Sequence, residues 1–159
     1  MELKKSINYP ATPDQVAALS LNPDFMKARI ARAGLNNAVV EGGDGRVRAT
    51  ITVEASDLPA KVSKLLPKGI SVVLEETWTQ DANGTWNGTT TIDPGKAPVE
   101  ARATSTLVAN GDSTLRDVNA VVKVSIPLIG GRIESEVASR IDALLSVEES
   151  LAAEWLAKA

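Results

Sequence analysis

Neither cysteine nor histidine occurs among the 159 residues of this chain. The first absence excludes disulfides, a thiol nucleophile and a thiolate metal site. The second removes the commonest general base and the commonest transition-metal ligand. Aromatic residues make up only 3% and no basic stripe is present, which argues against a base-stacking platform for single-stranded nucleic acid. A net charge of -3 gives no attraction to a polyanion. There is no P-loop, no dinucleotide-binding glycine pattern, no nucleophile elbow and no cluster suited to zinc. No stretch approaches the length of a membrane span, and Met1 to Ser6 lacks an apolar signal region. The default expectation is a cytoplasmic protein with no cofactor, no metal, no nucleic-acid partner and no stable membrane insertion.

What is present is alternation. With 43% hydrophobic and 23% charged residues, the chain can build one real core, and a single domain over 1–159 is expected. Glu2 to Tyr9 puts Leu3, Lys5, Ile7 and Tyr9 on one side of a strand. Thr12-Pro13-Asp14-Gln15 then carries a capping hydroxyl, a proline at the first helical position and a glutamine that can reach back. Asn22-Pro23-Asp24 repeats the start signal, giving two short helices, and Gly34 is placed to end the second in the left-handed conformation.

Strands follow. Leu35 to Glu41 and Arg46 to Glu54 flank Gly42-Gly43-Asp44-Gly45, which reads as a hairpin loop. Ile70 to Gln80 and Thr85 to Ile92 flank a turn that sets a register. A three-residue loop with Gly84 left-handed places Trp78 opposite Gly88 and shelters both Trp78 and Trp86 on one face. A two-residue loop at Asn110-Gly111 would set Ala103 against Val118, Ala101 against Ala120 and Val99 against Val122. After Pro127 and Gly130-Gly131, a helix is expected from about Arg132 to Leu156, with Ile133, Val137, Ile141, Leu144, Leu151 and Trp155 on its apolar stripe. The reading is an α+β chain: a curved antiparallel sheet of about seven strands, two short helices after the first strand, and a long C-terminal helix.

Tyr9-Pro10-Ala11-Thr12-Pro13-Asp14-Gln15-Val16 followed by Asn22-Pro23 resembles the opening of the START-related superfamily, whose helix-grip fold includes birch-pollen-allergen and polyketide-cyclase families. Glu75-Glu76-Thr77-Trp78, the final hairpin, and Ile126-Pro127-Leu128-Ile129-Gly130-Gly131-Arg132-Ile133-Glu134 are similar to an actinobacterial domain-of-unknown-function family, number 2505. The likeness spans nearly the whole chain. It implies the helix-grip fold and, as a habit of the superfamily, a small-molecule or lipid cavity.

Candidate site residues come from the dry face. Ala49, Gly88, Ala101, Ala103 and Ala120 are small, which leaves either a ligand cavity under the helix or a flat patch for tight packing. Glu76 interrupts an apolar face, and Arg116 shares the dry parity opposite Ser105. These two could hold a polar head group or each other, or reach water at the sheet's end. Thr90 and Ser105 are weaker polar candidates. Trp78, Trp86, Val118, Ile133, Val137 and Ile141 would supply apolar walls, or ordinary core. Leu58 to Gly69 could be a lid, a membrane-touching segment, or a short helical turn with solvated lysines. The expected partner is a hydrophobic or amphipathic small molecule, bound without catalysis. Alternatives are a cyclase-like enzyme with Glu76 as acid or base, and a protein-interaction module with a filled core.

Overall fold

Residues 1–158 are described by a computed structural model of the chain. The alternating segments form seven strands: β1 (Glu2–Tyr9), β2 (Ala38–Gly43), β3 (Arg46–Val53), β4 (Ile70–Gln80), β5 (Trp86–Asp93), β6 (Val99–Asn110) and β7 (Ser113–Val124). The helices are α1 (Pro13–Ser20), α2 (Pro23–Arg32), the short α3 (Ala60–Ser63) and α4 (Gly130–Ala157). The strands make one curved antiparallel sheet in the order β1-β7-β6-β5-β4-β3-β2. Helices α1 and α2 carry the chain from one edge to the other, and hairpins then bring it back until β7 pairs with β1. With α4 laid over the concave face, this is the helix-grip fold.

Local signals explain the helix boundaries. Thr12 caps α1 through its side chain while Gln15 reaches back, closing a capping box, and Asn22 caps α2. Gly34 follows α2 at φ +87°, the left-handed geometry that glycine adopts without strain. The β4–β5 register also matches the pattern: Trp78 pairs with Gly88, the Asp81 N–H donates to the Thr85 carbonyl across the three-residue loop, and the Asp81 carbonyl accepts from the Gly84 N–H.

Three boundaries differ from the sequence expectation. Strand β2 starts at Ala38 and runs to Gly43, so only Asp44 and Gly45 form the loop, both at positive φ. That is the primed turn whose twist suits paired strands, and it draws Gly42 and Gly43 into the ladder. In the last hairpin the turn is Gly111-Asp112, with glycine in its first central position at φ +63°. Ala103 therefore pairs with Ala120, Ala101 with Val122, and Ser105 with Val118. A shift of two residues leaves every side chain on its face, so hydrophobic alternation alone does not distinguish the two registers. Helix α4 begins at Gly130 rather than near Arg132, because both glycines join its first turn.

Packing on the concave face is uneven. Helix α4 comes nearest to β1 and β7, and it also touches α2. Three buried apolar clusters result. One centres on Ile7, Tyr9, Phe25, Trp78 and Leu107; a second on Met26, Ile30, Val47 and Ala49; a third on Val62, Val122 and Ile133. The connector after β3 forms a 3-10 turn and α3, with Val62 buried in the third cluster and Leu65 exposed. This matches the short helical turn among the readings of that segment.

Candidate functional site

Where α2, α4 and the middle of the sheet face one another, a cavity of about 160 Å³ remains. Its sheet wall includes Leu74, Thr90, Ile92, Ala103 and Ala120, and its helix wall includes Met26, Ile30, Ile141 and Leu145. Leu144 of α4 also lines it and is 44% exposed, so the cavity is not closed at that residue. Small residues on β6 and β7, Ala101, Ala103 and Ala120, border this space, while α4 packs mainly on β1 and β7. Ala49 and Gly88 do not contribute: Ala49 is covered by the Met26 cluster, and the Trp78 indole lies directly on Gly88.

One end of the cavity is charged and dry. Glu76 and Arg116 are each 2% exposed, so neither reaches water. They do not pair with each other. Glu76 Oε1 accepts from Trp78 Nε1 at 2.6 Å, and its Oε2 accepts from Arg29 Nη2 at 3.1 Å. Arg116 Nη1 donates to Glu148 Oε1 at 2.8 Å, and Arg116 Nε donates to Ser105 Oγ at 3.1 Å. Arg29 Nη1 lies 3.0 Å from Glu148 Oε2, linking the two halves. Tyr9 donates its hydroxyl to Glu148 Oε1 at 3.0 Å. The guanidinium of Arg116 stacks over Trp78 at 5.2 Å, and that of Arg29 over Phe25 at 5.4 Å.

These contacts set the electrostatics. Burial alone would raise the Glu148 carboxyl, but Arg29 and Arg116 outweigh it and hold the group below its ordinary value of 4.5. Burial, reinforced by the Glu148 charge, pushes the Tyr9 phenol up, so it stays a donor. Burial pulls both arginines down, yet Glu148 and its neighbours outweigh this and leave them firmly charged. A pH dependence follows. A carboxyl whose folded value is lowered stabilises the fold above its unfolded value, and that contribution is lost as pH falls from about 4.5 through the lower folded value. Urea titrations are expected to show the stability gap between the native chain and Glu148→Gln narrowing over that window. A gap constant down to pH 2 would contradict this account.

Of the sequence candidates, Glu76, Thr90, Ala103, Arg116, Val118 and Ile141 border the cavity. Trp78 and Ser105 stand behind that wall, holding Glu76 and Arg116. Arg116 pairs with Leu107 across the ladder and reaches Ser105 diagonally, a consequence of the two-residue register shift. Trp86, Ile133 and Val137 lie elsewhere. The Trp86 indole donates to Asp14 Oδ1 at 2.8 Å beside α1, while Ile133 and Val137 pack in the cluster around Val122.

A family model described as protein of unknown function (DUF2505) matches residues 4–156. The chain belongs to the DUF2505 family. Among its relatives is the uncharacterized protein Rv0481c of Mycobacterium tuberculosis, 26% identical, with 95% of this chain and 94% of that protein aligned. Solved structures place this DUF2505 protein in the START-related fold. A START superfamily protein from Mycobacterium smegmatis superposes with a TM-score of 0.59 at 16% identity, covering 98% of each chain. A norcoclaurine synthase point mutant from Thalictrum flavum, in complex with a transition-state analogue, superposes with a TM-score of 0.61 at 14% identity over 97% of this chain and 94% of that one. At such identities the likeness concerns the fold.

The charged end of this DUF2505 cavity depends on residues that the sequence reading did not single out: Arg29, Glu148 and Tyr9. The signal for two of them is helical spacing. Arg29 falls between Met26 and Ile30 on the buried stripe of α2, and Glu148 continues the line Ile141, Leu145, Glu148, Ala152 of α4. Tyr9 sits on the dry parity of β1 with Ile7.

Proposed function

We propose that this protein binds a hydrophobic or amphipathic small molecule, without catalysis, in the cavity between the sheet and α4. The observation that carries the reading is an apolar space of about 160 Å³ with a hydrogen-bonded charged cluster at one end. Apolar walls with a few convergent polar groups are the usual make-up of a ligand site. Size narrows the guest. A cavity of about 150 Å³ lined by aliphatic and aromatic side chains accommodates benzene, so a single ring or a short chain matches the volume. A lipid or polyketide-sized molecule would need α2 and α4 to part at Leu144.

The reading favours binding over acid–base chemistry at Glu76. Both Glu76 oxygens already accept hydrogen bonds, from Trp78 and Arg29, which suits a fixed wall group. Native mass spectrometry followed by organic extraction tests for a co-purifying compound. A direct test uses toluene and the Ala103→Leu variant, whose added methyl groups project into the cavity. At ten to a hundred times its Kd, toluene is expected to stabilise the native chain by about 1.4–2.7 kcal/mol in thermal unfolding. Ala103→Leu is expected to abolish that effect. Equal stabilisation of both chains, or of neither, would contradict the proposal.

A further inference from the structure

We infer that the cavity selects an uncharged guest carrying a hydrogen-bond acceptor, such as a ketone or ether oxygen, held by Arg116. This rests on the ligand-binding reading above and names the chemistry of the guest. The cluster at the cavity's end contains Arg29, Arg116, Glu76 and Glu148, two cations and two anions, so it is formally neutral before any guest enters. Every carboxylate oxygen in it is engaged. Glu76 receives Trp78 and Arg29 on its two oxygens, and Glu148 receives Arg116 and Tyr9 on one with Arg29 against the other.

The donors are not exhausted. Arg116 uses Nε on Ser105 and Nη1 on Tyr9 and Glu148, and none of its hydrogen bonds among the described residues involves Nη2. Arg116 is 2% exposed and borders the cavity. Among the described residues Arg29 Nε is the one buried side-chain nitrogen without a hydrogen-bond partner, so the cluster as a whole has donors in excess of acceptors. A guest that only accepts corrects the imbalance. A carboxylate guest would add a negative charge beside Glu76 and Glu148 in a dry space where both guanidinium groups are already neutralised. An ammonium guest would face Arg29 and Arg116 and meet carboxylate oxygens whose charge those guanidinium groups already balance. An alkane would cover Arg116 without offering Nη2 an acceptor.

Four ring-matched probes separate these cases on the unmodified protein: cyclohexanone, methylcyclohexane, cyclohexanecarboxylate and cyclohexylammonium. Binding is followed by NMR titration, and the bound ketone by isotope-edited infrared spectroscopy of its carbonyl stretch. The expected result is that cyclohexanone binds with its carbonyl stretch lowered from the value in cyclohexane, while the two ions bind at least about tenfold more weakly. A ketone bound with an alkane-like carbonyl stretch would overturn the assignment to Arg116 and leave the cavity reading intact. A carboxylate that binds as tightly as the ketone would overturn the selection of an uncharged guest. If none of the four binds, the ligand-binding reading fails, and this inference with it.

Discussion

Glu148→Ala is expected to lower the unfolding free energy by about 3–5 kcal/mol, because it removes one member of a buried charge cluster and strands the others. Glu148 is 3% exposed and, among the described residues, is the one carboxylate in contact with both Arg29 and Arg116. Without it, Arg29 retains Glu76, but Arg116 retains only the hydroxyls of Ser105 and Tyr9. A buried guanidinium with no carboxylate in direct contact is the costly outcome, and truncation of the helix side chain adds lost packing to it. Against a typical total of about 5–15 kcal/mol, the loss is large enough to move the urea midpoint far or to leave the chain unfolded. Arg32→Ala provides the contrast. Arg32 pairs with Glu154 at 3.1 Å, but both side chains are about half exposed, and an exposed pair of this kind contributes about 0–1 kcal/mol. Equal midpoints for the two variants would mean that water reaches Glu148 and that the cluster is not sealed.

The distinction between those two ion pairs is also where sequence reasoning stopped. Period-two alternation located each strand of the sheet, and the Asp81-Ala82-Asn83-Gly84 turn set Trp78 opposite Gly88 because only that register shelters both tryptophans. The same logic does not resolve the last hairpin, since moving its turn from Asn110-Gly111 to Gly111-Asp112 exchanges Val118 for Ala120 opposite Ala103 without turning any side chain outward. For the site, Glu76 and Arg116 stood out as charges on dry strands, where alternation makes a misplaced polar residue conspicuous. Glu148 and Arg29 did not, although both lie on apolar helical stripes, because an amphipathic helix carries so many charges that one on the wrong face attracts little notice. Their role depends on meeting across 119 residues of chain, and such a pairing has no local signature. The cavity is legible only in its small side chains. Ala103 and Ala120 border it, yet Gly88, equally small, is covered by a tryptophan ring.

That ring makes Gly88→Ala the second change with a large expected effect, a loss of about 1–3 kcal/mol. In an ordinary strand the substitution would be mildly favourable, since glycine in a strand interior is weaker by roughly 0.5–1 kcal/mol. Here a Cβ at position 88 would lie 2.7 Å from Trp78 ring carbons, well inside contact distance. The ring has little freedom to withdraw. Its Nε1 donates to Glu76 Oε1 at 2.6 Å, and Arg116 lies over its face. Retreat would lengthen a hydrogen bond to a charged acceptor, an interaction of about 1.5–3 kcal/mol, and disturb the cation–π contact behind the cavity wall. The displaced indole would also loosen Glu76, so the variant is expected to bind toluene more weakly as well as to unfold at lower urea. Trp78→Phe combined with Gly88→Ala should recover part of the steric loss, because the smaller ring leaves room for the methyl group, but not the hydrogen bond to Glu76. Measuring both single variants and the double variant isolates the coupling between the two positions. Strict additivity would show that the ring and the glycine do not constrain each other, and that the tight register of β4 against β5 is maintained by the backbone alone.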